Sequence, residues 1–108
     1  MNDNSQSRIE ILKQYIADDA GDVFSQYALA LEYIKKGNNA EATALLSNIV
    51  SRHPDYLAAY YQLGKLYEQG GLAADAKTIY EQGIVVARQQ KELKTLNELL
   101  AALDSMEE

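Results

Sequence analysis

Two runs of apolar residues, each divided by glycine, recur along the chain at helical spacing. In the first, Leu29, Ala30 and Tyr33 precede Gly37, and Ala42, Leu45, Leu46, Ile49 and Val50 follow it. In the second, Tyr60, Leu63, Gly64 and Tyr67 precede Gly70 and Gly71, and Ala76, Ile79, Tyr80, Gly83 and Ile84 follow. Steps of three and four residues put each set on one face of a helix, so the pattern predicts two helical hairpins. Asp22 is a good N-cap for the first helix, and Gly37 can take the left-handed conformation that ends it. Asn38 or Asn39 then caps the second helix, and Pro54, which cannot continue it, closes the unit. Asp55 starts the next hairpin.

Shifting the sequence against itself by 34 residues pairs Tyr27 with Tyr61, Leu29 with Leu63, Tyr33 with Tyr67, Gly37 with Gly71, Ala40 with Ala74 and Ala42 with Ala76. A fixed period of this length signals stacked supersecondary units. Ala30, Gly64, Ala42 and Ala76 fall where the two helices of a hairpin cross, and larger side chains there would hold the axes apart. Tyr33, Tyr67, Leu46 and Tyr80 answer them by filling the spaces between hairpins. Counting back one period from the second helix of the first unit reaches Ile11, Leu12, Tyr15 and Ile16, a lone half repeat. After the second unit, Leu93, Leu96, Leu99, Leu100 and Leu103 mark a last amphipathic helix, with Lys91, Lys94, Glu98 and Asp104 on its wetter side.

The second unit reads Tyr60-x2-Leu63-Gly64-x2-Tyr67 and then Ala76-x3-Tyr80. The first reads Gln26-x2-Leu29-Ala30-x2-Tyr33, then Ala42-x3-Leu46, then Pro54. In these residues the chain resembles the tetratricopeptide repeat family, whose signature is Trp-x2-Leu-Gly-x2-Tyr, then Ala-x3-Phe, then Pro. Departures are Gln26 for the aromatic, Ala30 for the glycine, and Arg88 where the second unit would end in proline. The resemblance implies an all-α fold, a right-handed superhelical stack of antiparallel helical hairpins with about six helices. The whole chain, 1–108, is then expected to be one domain: a half-repeat helix in 6–21, full repeats in 22–55 and 56–90, and a capping helix in 91–106. A hairpin cannot cover its own apolar face, so the half repeat and the cap complete the stack.

The resemblance further implies a non-catalytic protein that holds a peptide or partner segment in a concave groove lined by the first helices. Carried over position by position, that groove comprises Phe24, Tyr27, Leu31 and Ile34 in the first unit and Ala58, Tyr61, Lys65 and Glu68 in the second. Tyr27 and Tyr61 are the identical pair that packing does not require, and tyrosine offers large contact area with a polar tip. Some members clamp a C-terminal carboxylate with lysine and asparagine. Here those places hold Tyr27 with Leu31 and Tyr61 with Lys65, so an apolar or partly basic peptide is the better fit. The alternative is a homodimeric assembly protein, because Leu93, Leu96, Leu100 and Leu103 follow a heptad spacing that suits either capping or pairing with a second copy.

Composition narrows the function classes. Of 108 residues, 47% are apolar and 24% charged, which suits a folded chain. Sixteen acidic residues against ten basic give a net charge of −6, which disfavours nucleic acid and anionic membrane surfaces. The absence of cysteine removes disulfides, thiolate metal sites and a cysteine nucleophile. The polar start, Met1 to Ser7, has no cationic segment followed by an apolar run, and no run of apolar residues is long enough to span a membrane, so the cytoplasm is the expected compartment. His53 is a lone imidazole beside Pro54 and takes no role. The run Asp18-Asp19-Ala20-Gly21-Asp22 lacks the ligands of a calcium loop, and no glycine motif cradles a phosphate. No cofactor, metal or catalytic residue is expected.

Overall fold

The computed structural model describes residues 4–107. Their regular elements are six α-helices: α1 Asn4–Asp18, α2 Val23–Lys35, α3 Asn39–Arg52, α4 Ala58–Gln69, α5 Ala73–Gln90 and α6 Leu93–Met106. No strand occurs among the described residues. Contacts divide the chain into two compact units, Met1–Ile49 and Val50–Glu108.

In the first unit, α1 packs against α2 through a stripe in which Ile9 is buried and Ser5, Leu12 and Ile16 are half-buried. α1, Asn4–Asp18, occupies the stretch in which the sequence predicts a half-repeat helix over 6–21. Asp22 caps α2 as the sequence suggests: its carboxylate accepts from the Ser25 backbone N–H at 3.0 Å and from the Ser25 hydroxyl at 2.6 Å. Gly37 takes φ +79° after α2, a conformation that costs residues with a Cβ. Ala42, Leu46 and Ile49 of α3 are fully buried.

The Asp22 cap titrates. Hydrogen bonds from the Ser25 hydroxyl, then from its backbone N–H, hold the Asp22 carboxyl below its ordinary value. A lowered folded-state pKa means the stabilisation is complete above the unfolded value of about 3.9 and is lost as pH falls through the folded one. Asparagine keeps a capping oxygen without the titration. The gap in melting temperature between wild type and Asp22→Asn should therefore narrow on going from about pH 5 to pH 2. A constant gap would mean that the charge at this cap does nothing.

In the second unit, α4 and α5 form a hairpin onto which α6 folds. Gly64 is where α4 and α5 meet: a Cβ there would fall within 2.7 Å of three atoms of the Tyr80 ring. Tyr80 fills the space that the missing side chain leaves and is itself fully buried. Gly83 serves the same purpose on α5, just beyond Tyr80, since a Cβ would lie 2.7 Å from Tyr60 Cβ and 3.1 Å from Leu99 Cδ1. Leu57, Tyr60, Ala76, Tyr80, Ile84, Ala87, Leu99 and Ala102 form the buried core.

Asp55, where the sequence starts the second hairpin, lies in the turn before α4: the helix begins at Ala58, its capping residue is Leu57, and no side chain serves as cap. The turn is instead closed by backbone bonds, Tyr56 N–H to His53 O at 2.9 Å and Ala59 N–H to Tyr56 O at 3.3 Å. Where Pro54 follows the 14 residues of α3, the equivalent Arg88 lets α5 run for 18, to Gln90. Lys91 then ends α5 in the left-handed conformation at φ +59°.

Candidate partner-binding faces

The expected contact residues of α2 recur at steps of three and four and share one stripe. Phe24 is 72% exposed, while Tyr27, Leu31 and Ile34 are half-buried. The buried residues Ser25, Gln26, Leu29 and Ala30 occupy the adjoining face, which explains why this stripe keeps access to solvent. On α4 the equivalent stripe has Ala58 exposed and Tyr61, Lys65 and Glu68 half-buried.

The α4 stripe is held in place by its own side chains. Lys65 Nζ sits 5.7 Å from the Tyr61 ring centroid, in cation–π range. The Tyr61 and Tyr80 rings are tilted by 43° with centroids 6.5 Å apart. The Tyr80 hydroxyl donates to the Glu68 carboxylate. Burial, and then the Glu68 bond and charge, push the Tyr80 hydroxyl well above its ordinary pKa, so it stays a donor. The stripe thus presents an aromatic ring, an ammonium and a carboxylate within three turns of helix, with the carboxylate oriented from beneath.

One recurring device is not evident from the sequence. Gln26, which departs from the family's aromatic position, is buried and donates Nε2 to the Ala20 carbonyl at 2.8 Å. Tyr60, one period later, donates its hydroxyl to the Pro54 carbonyl at 2.6 Å. Ala20 and Pro54 are also one period apart. The same tie between a helix and the loop before it is therefore made by different chemistry, an amide in one repeat and a phenol in the other. The amide meets the need less fully, since Gln26 Oε1 is buried with no hydrogen-bond partner. Burial, then the Asp55 charge, raise the Tyr60 hydroxyl pKa and keep the donor protonated. Tyr60→Phe should cost about 1 kcal/mol, with the Pro54 carbonyl losing its partner. Chemical denaturation with an unchanged slope is the check, and no change in midpoint would deny the tie any energetic role.

The leucines of α6 do not form one free seam. Leu96 and Leu103 pack against the core beside the buried Leu99, whereas Leu93 and Leu100 are 67% and 38% exposed. The acidic run before α2 is a turn: the Gly21 N–H donates to Asp19 Oδ1 at 3.0 Å, and Asp22 caps the helix. Among the described residues no three histidine or acidic side chains gather in a way that could hold a metal ion, and no helix is long and apolar enough to cross a membrane.

Comparison with known proteins agrees with this repeat anatomy. A tetratricopeptide repeat family model matches residues 33–103. A TPR repeat-containing protein of Pseudomonas aeruginosa is 29% identical over 79 residues, covering 73% of this chain and 75% of that one. The crystal structure of a tetratricopeptide repeat domain protein from Salinibacter ruber superposes with a TM-score of 0.78 at 45% identity, over 80% of this chain and 96% of the other. The solution structure of BPP2914 from Bordetella parapertussis shares the fold, with a TM-score of 0.77 at 22% identity over 91% and 85% of the two chains.

Proposed function

Because this chain belongs to the tetratricopeptide repeat family, whose helical repeats mediate protein–protein interactions, we propose that it is a non-catalytic module that binds a peptide or partner segment along the first helix of each hairpin. The observation that carries the reading is the repetition of one stripe. Phe24, Tyr27, Leu31 and Ile34 on α2 match Ala58, Tyr61, Lys65 and Glu68 on α4, and each stripe is left partly open while the residues beside it are buried. Tyr27 and Tyr61 are identical, stand one period apart and are both half-buried, the exposure at which a tyrosine gives contact area with little loss of rotamer freedom.

The chemistry differs between the two stripes, and the difference describes the partner. The α2 stripe is wholly apolar or aromatic and suits aliphatic or aromatic side chains. The α4 stripe offers an ammonium and a carboxylate beside a ring, and suits a segment carrying polar or charged groups at corresponding spacing. Few repeats make a short contact, so an isolated site should bind at about micromolar strength. Affinity capture with wild type beside a Tyr27→Ala, Tyr61→Ala double variant tests the proposal. The partner should be lost by the variant while its helical circular dichroism is unchanged. A partner retained equally by both would place recognition elsewhere on the chain.

A further inference from the structure

The α1–α2 face of the first unit carries a partly open cavity of about 190 Å3, lined by Ile11, Leu12 and Ala28, with Arg8 and Glu32 at one end. An apolar cavity of about 150 Å3 takes up a benzene ring, so this one has room for a leucine side chain. α1 and α2 run antiparallel, with Arg8 opposite Glu32 and Gln6 opposite Lys36, and in that register the exposed Tyr15 and Phe24 lie at the far end. Glu32 is shared by Arg8 Nε at 3.0 Å and Lys35 Nζ at 3.8 Å. Two cations meet one carboxylate, so the Arg8 end of the cavity keeps a net positive charge.

The complementary surface is on α6. Leu93 and Leu100 are seven residues apart, hence on one edge of the helix about 10 Å from each other. Asp104 follows one turn beyond Leu100 on the same side, and no lysine or arginine comes after Lys94. The edge therefore reads leucine, leucine, carboxylate, in the order that the α1–α2 face reads aromatic pair, cavity, cations.

We propose that a second copy of this chain fills the α1–α2 cavity with Leu100 of its α6, lying antiparallel to α1. Its Leu93 then covers Tyr15 and Phe24, and its Asp104 faces Arg8 and Lys35. The two patches are different surfaces of the same molecule, so the contact is heterologous and chains add head to tail, as closed rings or as open chains. One helix edge is less than the roughly 1,200 Å2 that a stable complex buries, so association is weak, and its charged end makes it sensitive to salt. Partner binding and self-association would share only Phe24, and either could fail without the other.

Sedimentation of full-length wild type, Ile11→Glu, Leu100→Glu, and an equal mixture of the two variants tests the proposal. Over about 10 μM to 1 mM, wild type should rise in average mass above the monomer and fall back in high salt. Each variant alone should stay monomeric, because one lacks the cavity and the other the leucine. The mixture should give a one-to-one heterodimer and nothing larger, since each variant keeps the half that the other has lost. Asp104→Lys serves as the edge variant should Leu100→Glu melt early by circular dichroism. A wild type that stays monomeric, a single variant that associates as wild type does, or a mixture that fails to associate while wild type does would each overturn the proposal.

Discussion

Replacing Gly64 with alanine will destabilise the α4–α5 hairpin by about 1–3 kcal/mol, although alanine is the better helix former by about 1 kcal/mol. The new Cβ would enter the Tyr80 ring, and Tyr80 is fully buried, so the ring has no solvent to retreat into. Its hydroxyl is also tied to Glu68. The first repeat suggests how the clash is relieved. At the equivalent positions it carries Ala30 and Leu46, both fully buried. Tyr80→Leu alone removes buried volume and the Glu68 bond, and should cost about 2–4 kcal/mol. Gly64→Ala with Tyr80→Leu recreates the pairing of the first repeat, so the double variant should be more stable than the sum of the single losses by about 1–2 kcal/mol. Denaturation of all four chains measures that coupling. Strict additivity would mean that the two positions do not pack as a unit.

Deleting residues 91–108 should abolish the cooperative melt of the second unit. α6 sets Leu99 against Gly83 and covers the core with Ala102, while Leu96, Leu103 and Met106 pack at its margin. Loss of the Leu99 side chain alone is expected to cost about 2–5 kcal/mol, and a whole domain is stable by only about 5–15 kcal/mol. The deletion removes Leu99 and Ala102 from the core and three partly buried side chains from its margin, and exposes the apolar surface that they cover. The truncated chain should bind a hydrophobic dye and melt broadly or aggregate. A sharp melt near the wild-type midpoint would show that α4 and α5 hold together without their cover.

Features governed by local rules are the ones legible in the residues. The 34-residue period locates the glycine turns, the small residues at helix crossings and the buried Leu46 and Tyr80, because each answers to backbone geometry or side-chain volume at a fixed place. Asp22 is legible as a cap for the same reason. What escapes such reading depends on distant stretches of the chain coming together. The loss of a proline at Arg88 lengthens α5, and the phase of the repeat changes after it. Leu96, Leu99, Leu100 and Leu103 of α6 then match Tyr60, Leu63, Gly64 and Tyr67 at a shift of 36 residues, not 34. Gly64 is buried under Tyr80 of the next helix, whereas among the described residues no helix follows α6, and Leu100, at the glycine position, is left exposed while Leu99 is buried.

The stripes on α2 and α4 follow directly from helical spacing, but their internal chemistry does not. Nothing in the order of residues pairs Glu68 with Tyr80, and only the antiparallel packing of α4 and α5 brings them together. Arg8 is a similar case. It stands one period before Ala42, where a crossing residue should be small, and the packing of α1 on α2 turns it into the partner of Glu32. Gln26 reads as a departure from an aromatic position, yet it performs through an amide the tie that Tyr60 makes through a phenol.

Amide hydrogen exchange of the wild-type chain, with and without the partner recovered by affinity capture, bears most directly on the claim that repeated first helices form the binding surface. Slowed exchange should appear in α2 around Phe24 to Ile34 and in α4 around Ala58 to Glu68, with α3 and α5 unchanged. Protection confined to α3, α5 or α6, with α2 and α4 exchanging as they do in the free chain, would contradict it.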